Sequence, residues 1–203
     1  MTRVVVVTAG LGSPSSSRLL ADQMAAAVHR VEESASVEVV ELRPLAHDVV
    51  DATLTGFAGP RLQHVVDQLG AADAVGFVSP VFQASYSGLF KSFVDVLEPD
   101  QLIGKPVLLG ATGGTARHSL VVEHAMRPLM AYLQAVPVPT GVFASPHDWS
   151  AEGEGALTAR IDRAVGELFS LLGGGGTGRT RDDEIDLFSE TMLSISDPRR
   201  RTS

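Results

Sequence analysis

The chain reads as an α/β protein: a five-stranded parallel sheet with helices on both faces, in three layers. Three observations predict it. Short, β-branched-rich apolar runs alternate with longer segments whose apolar residues recur every three or four positions. The apolar content comes from Val, Leu and Ala, with only 5% aromatics, as expected of strands buried on both faces. The first, third and fourth runs end in Gly-, Ser- or Pro-rich stretches suited to loops at a sheet edge. Such alternation predicts βαβ units whose right-handed crossovers place helices on both sides.

Residues 4–8 (VVVVT) form the first strand and stop at Ala9-Gly10. Residues 18–33 carry Leu19, Leu20, Met24, Ala27, Val28 and Val31 at helical spacing. Residues 37–42 are a second strand, less cleanly patterned and so expected near an edge. Residues 43–59 read as a polar, irregular connection, and 60–69 as a short helix. The third strand, 74–79, stops at Ser79-Pro80, and a helix follows over 87–97. Residues 105–111 are the fourth strand, 119–133 a helix containing Pro128, 137–144 the fifth strand and 151–172 the closing helix. This body, residues 1–173, is one domain, and its 44% hydrophobic content suffices for a core. The glycines at 173–176 open a flexible linker and tail over 174–203, with Ile185, Leu187, Phe188, Met192 and Leu193 as a short apolar pattern and Arg199–201 near its end.

Composition narrows the chemistry. A net charge of −8 argues against nucleic acid and anionic membrane as partners. With no cysteine there is no disulfide, thiolate nucleophile or thiolate metal site, so redox chemistry requires a bound cofactor. The six histidines are scattered, and no metal site is expected. His118 and His124, six apart, do not suit one face of a helix. No run of about 20 apolar residues is present, and residues 1–3 lead straight into the first strand, so a cytoplasmic protein is expected.

Three loops carry the candidate site, because ligands of open parallel sheets bind at the carboxyl ends of the strands. The first holds Gly10, Gly12, Ser13, Ser15, Ser16, Ser17 and Arg18 at a helix start. Free N–H groups, hydroxyls and a cation there make a phosphate cradle; one serine would equally serve as a helix cap. The sequence is neither Walker A nor GxGxxG. The second loop, 80–86, offers Pro80, Val81, Phe82, Gln83 and Ser85 to the edge of a planar ring, with Phe82 or Tyr86 in contact with it; an ordinary turn with a core aromatic is the alternative. The third, Thr112-Gly113-Gly114-Thr115, allows close backbone approach and offers N–H groups to a ring edge.

At GSPSSSR (12–18), SPVFQASYSGLFKSFVD (79–95) and GKPVLLGATGGTARH (104–118) the sequence resembles the NAD(P)H-dependent FMN reductase family of the flavodoxin-like superfold. The likeness is nearest to reductases that supply reduced FMN to luciferase-like and alkanesulfonate monooxygenases, and covers about residues 2–172. It implies FMN as cofactor, with phosphate contacts from Ser13, Ser15, Ser17 and Arg18. It implies ring contacts from Pro80, Val81, Phe82, Gln83, Ser85, Thr112, Gly113 and Gly114. NADPH or NADH would be the donor, with no side-chain acid or base needed for hydride transfer, so no catalytic residue is assigned. Family members form dimers or tetramers, and a flavin-dependent monooxygenase is an implied partner. The chain departs from the family at Phe82 and His124, where tyrosine is common. Two alternatives remain: a reductase with tightly held FMN acting on quinones or azo dyes, and a non-enzymatic flavodoxin-like electron carrier.

Overall fold

The computed structural model describes residues 1–173; the expectations for 174–203 lie outside the described residues. The strands are β1 (Arg3–Thr8), β2 (Ser36–Glu41), β3 (Ala74–Phe82), β4 (Ser85–Tyr86), β5 (Pro106–Thr112), β6 (Val136–Pro137) and β7 (Val142–Ala144). The α-helices are α1 (Ser16–Val31), α2 (Ala46–Thr55), α3 (Pro60–Ala71), α4 (Gly88–Asp95), α5 (Arg127–Tyr132) and α6 (Glu154–Gly173). The sheet runs β2-β1-β3-β5, with β6 and β7 both lying parallel along the outer edge of β5. This is the expected parallel sheet with five strand positions. Seven strands result because the fifth is split and a hairpin extends the third.

Each face has its own core. Leu20, Met24, Ala27 and Val28 of α1 pack with Leu157, Ile161 and Leu168 of α6 against Val4, Val6, Val78 and Leu108. On the other face α2, α3, α4 and α5 cover Val5, Val7, Phe77 and Leu109, with Phe77 and Phe90 edge to face at 5.5 Å. Every large side chain buried this way contributes about 1.5–3 kcal/mol. The runs in β1 and β3 are apolar throughout because both sides are covered. Gly110 is the point of closest approach. A Cβ there would meet Met24 Cε at 2.8 Å and Leu20 Cδ2 at 3.3 Å, so glycine lets α1 settle onto β5.

Four expectations are corrected. Residues 43–59 are not irregular: a short turn over Arg43–Leu45 leads into α2, which buries Leu45, Val49 and Ala52 and ends at Gly56, φ 77°. The helical spacing was present but diluted by polar neighbours. The third strand does not stop at Ser79 but continues to Phe82, because Val81 and Phe82 pair with Tyr86 and Ser85 in a hairpin. The fifth strand breaks between Pro137 and Val142, where Pro137 and Pro139 lack the N–H a continuous ladder requires. The helix expected over 119–133 is interrupted by a π-helical turn, Val122–Met126, whose Arg127 N–H reaches back to Val122 O. Pro128 has no N–H to donate and its ring would crowd the carbonyl four residues back; a widened turn accommodates both.

The hairpin turn places Gln83 and Ala84 at φ 48° and 64°, a conformation that favours Gly or Asn. Ala84→Gly is expected to raise stability by about 1 kcal/mol in urea denaturation by relieving this strain. An unchanged or lower midpoint would show that the turn is unstrained.

Candidate functional site

The three predicted loops meet at the carboxyl edge of the sheet, held together by named bonds. Ala9 N–H donates to Val78 O at 2.9 Å, tying the first loop to β3. Ser17 Oγ and Thr112 Oγ1 lie 2.7 Å apart, both side chains buried, joining the first turn of α1 to the end of β5 across β3. Pro80 stands in register with Thr112, bringing the second loop beside the third.

The serines of the first loop divide in role. Ser15 is the α1 N-cap, its Oγ accepting from Arg18 N–H at 3.2 Å. Ser17 is committed to Thr112, while Ser13 and Ser16 are exposed. The Leu11, Gly12 and Ser13 N–H groups have no partner among the described residues. Thr8 Oγ1, at the end of β1, is buried without a partner. Arg18 donates to Asp22 at 2.8 Å and Glu41 at 2.6 Å, and the hydrogen bond it donates to Asp22 is the chief reason its pKa is raised. Its guanidinium is therefore partnered within the protein. Arg43, in the segment read as irregular, donates to Gly12 O at 3.2 Å and buttresses the loop.

In the second loop Phe82 and Gln83 are exposed, Pro80, Val81 and Ser85 partly so. Tyr86 packs edge to face on Phe90 at 5.4 Å, as a core aromatic. The loop's neck is closed by two serines that sequence reasoning did not single out. Ser79 Oγ accepts from Ser87 N–H at 2.9 Å, and Ser87 Oγ caps α4 through Phe90 N–H at 3.2 Å. Both are buried, and buried hydroxyls with partners are the signal that marks them.

In the third loop Gly113 N–H donates to Ala144 O at 3.1 Å and is not free. Gly114 and Thr115 N–H have no partner among the described residues. A Cβ on Gly113 would meet Phe143 Cζ at 3.0 Å, whereas one on Gly114 would point into open space. A small hollow between the second and third loops is lined by Ala84, Arg117, His118, Leu120 and His124. His118 and His124 thus share a site despite their spacing, because a 3-10 turn over Ala116–His118 followed by the π turn departs from 3.6-residue periodicity.

A larger cleft, about 620 Å³, opens on the outer side of the third loop. Of the predicted loop residues Gly114 and Thr115 line it; Ser119, Glu123, Phe143, His147 and Arg160 form much of the rest. Arg160 Nη1 donates to Phe143 O at 2.8 Å and lies 3.8 Å from Asp148. Burial alone would raise the Asp148 carboxyl. Hydrogen bonds from Ser145 N–H and Oγ, with Arg160 and His147 nearby, outweigh it and hold the carboxyl below the usual range.

A parallel sheet with cofactor-type loops converging at one rim defines a flavodoxin-like nucleotide-binding protein. Residues 2–150 match the family model described as NADPH-dependent FMN reductase. A Pseudomonas aeruginosa protein named FMN reductase (NADPH) is 36% identical over 85% of this chain and 93% of its own length. The NADH-dependent FMN reductase SfnF of Pseudomonas putida is 36% identical over 80% of this chain and 89% of its own. The crystal structure of an oxidoreductase from Corynebacterium diphtheriae, 43% identical, superposes with a TM-score of 0.81 over 86% of this chain and 98% of that one. The chain belongs to the NADPH-dependent FMN reductase family and is an oxidoreductase acting on FMN with a nicotinamide nucleotide.

Ser17→Ala is expected to cost about 1–3 kcal/mol by leaving the buried Thr112 hydroxyl unpaired. In the Ser17→Ala/Thr112→Val double variant part of that loss should return; strictly additive losses in urea denaturation would show that the bond carries no coupling. For Asp148, a folded pKa below its unfolded value means stability present above the ordinary carboxylate range and lost as pH falls through the folded value. Asp148→Asn should therefore lose less stability than the parent between about pH 6 and pH 3, read by thermal melting.

Proposed function

We propose that the chain binds FMN across the three joined loops, reduces it with NAD(P)H and releases it to a flavin-dependent monooxygenase. The observation that carries this is the meeting of loops 10–18, 80–86 and 112–115 at one rim, with unpartnered N–H groups in the first and third. Bound FMN would supply the acceptor for the hydride. The residues fit its two ends. The Leu11, Gly12 and Ser13 N–H groups, with the Ser13 and Ser16 hydroxyls and the orphaned Thr8 hydroxyl beneath, suit a phosphate. The open backbone of Gly114 and Thr115 suits the polar edge of a ring, where their N–H groups would stabilise negative charge. Pro80, Val81, Phe82, Gln83 and Ser85 would border that ring, with Phe82 offering an apolar surface. Ser15 and Ser17 shape the phosphate loop, Thr112 and Gly113 shape the ring loop, and Arg18, neutralised by Asp22 and Glu41, braces the start of α1.

Release to a separate enzyme is supported by the exposure of Ser13, Phe82, Gln83 and Gly114. The name of the SfnF relative says only that it is an NADH-dependent FMN reductase. We place the protein in the cytoplasm as a homodimer or homotetramer. Val50, Leu54 and Phe57, which are 50%, 79% and 81% exposed along one side of α2 and its end, support self-association. Among the described residues no helix is long and apolar enough to cross a membrane.

Stopped-flow oxidation of NADH and NADPH, with and without added FMN, tests the reading. FMN-stimulated oxidation is expected; oxidation of neither donor under any condition would remove the reductase. Gly114→Val is expected to weaken FMN binding at least about tenfold with stability unchanged, in fluorescence titration and thermal melting. Gly113→Val should instead lower stability by about 1–3 kcal/mol through its clash with Phe143. Full FMN affinity in folded Gly114→Val would remove the third loop from the site.

A further inference from the structure

The 620 Å³ cleft on the outer side of the third loop shares the wall at Gly114 and Thr115 with the flavin site described above and extends well beyond it. Its volume lies within the range of small-molecule and cofactor sites, roughly 300–1,000 Å³. Its apolar lining is Ala116 and Pro146, which are exposed, with the buried Phe143 and Val122 behind them. Gly141 keeps it tight, since a Cβ there would meet Val122 Cγ1 at 2.6 Å.

The cleft's charges are largely balanced internally. Arg160 is held by Phe143 O and the neighbouring Asp148. Glu123 receives two hydrogen bonds from Arg127, at 2.6 and 3.0 Å, and these hold its carboxyl below the usual range and ionised at neutral pH. Glu123 and Asp148 thus each lie beside a guanidinium already engaged, Arg127 and Arg160. On the wall, Arg117 is exposed and has no ion-pair partner among the described residues.

We propose that this cleft receives the adenosine half of the nicotinamide dinucleotide, and that it suits the ribose hydroxyl of NADH rather than the 2′-phosphate of NADPH. The inference rests on the reductase reading and names the donor, which the relatives' names leave divided between NADPH and NADH. With the nicotinamide over the ring at Gly114, the pyrophosphate crosses the wall where Arg117 offers an unpaired cation. The adenine lies against the exposed Ala116 and Pro146. Glu123, with lone pairs left beyond its two bonds to Arg127, accepts from the ribose hydroxyl. A 2′-phosphate, carrying about −1.5 to −2 charge, would face that carboxylate with Arg160 already occupied.

The test is steady-state kinetics with saturating FMN and three donors: NADH, NADPH and reduced nicotinamide mononucleotide, which lacks the adenosine. NADH is expected to exceed NADPH in kcat/KM by at least about tenfold, and Glu123→Gln should shrink that ratio several-fold. Ser119 is exposed at the mouth of the cleft, so Ser119→Trp should fold, as melting will check, and obstruct it. Its KM for NADH should rise at least about tenfold, with a much smaller change for the mononucleotide. Equal or better use of NADPH by the parent protein would overturn the hydroxyl assignment. An unchanged NADH KM in folded Ser119→Trp would overturn the cleft assignment while leaving the reductase standing. Failure of the parent protein to oxidise any of the three donors would overturn the reductase reading and this inference together.

Discussion

The rim of the sheet is organised by one buried hydrogen bond between Ser17 Oγ and Thr112 Oγ1, which joins the first turn of α1 to the end of β5. Gly110 lets α1 settle onto β5, since a Cβ there would meet Met24 and Leu20 of the helix. In a site shielded from water such a bond has no solvent competitor, and breaking it strands a hydroxyl. The first and third loops are therefore held at one separation by the same packing that makes the α1 core. Stability and site geometry share their residues.

The second loop is built differently. It is a strained hairpin projecting from a closed neck, with Ser79 and Ser87 sealing its base and Tyr86 anchored on Phe90. Strain at Gln83 and Ala84 persists because the base on either side is over-determined. A rigid rim on one side and a projecting hairpin on the other leave the hollow between them open. Arg117, His118 and His124 enter it from a segment whose helical pitch changes twice within ten residues. Two departures from regular structure, one forced by Pro128 and one by the turn after Thr115, thus bring a cation and two imidazoles to the same place.

Much of this was legible in advance. Alternating buried runs and amphipathic segments located the sheet positions, and glycine, serine and proline marked where the chain turned. The GSPSSSR, SPVFQASYSG and ATGGT segments pointed to a flavin nucleotide through their resemblance to the FMN reductase family. What escaped notice was whatever depended on a partner distant in sequence. Nothing around Arg18 foretold Glu41, nothing around Gly113 foretold the Ala144 carbonyl, and the helix at Ala46–Thr55 was hidden among polar residues until Leu45, Val49 and Ala52 had a core to face.

By itself the sequence determined the fold class and where the three loops fall, since these follow from periodicity and from residue types whose conformational limits are local; the family was read from the resemblance of whole motifs. Only the tertiary structure decided which serine caps and which bridges, which glycine N–H is free, and that a 620 Å³ cleft opens on the outer side of the third loop. Those outcomes depend on distances between segments far apart in the chain, and such distances exist only once both cores have closed.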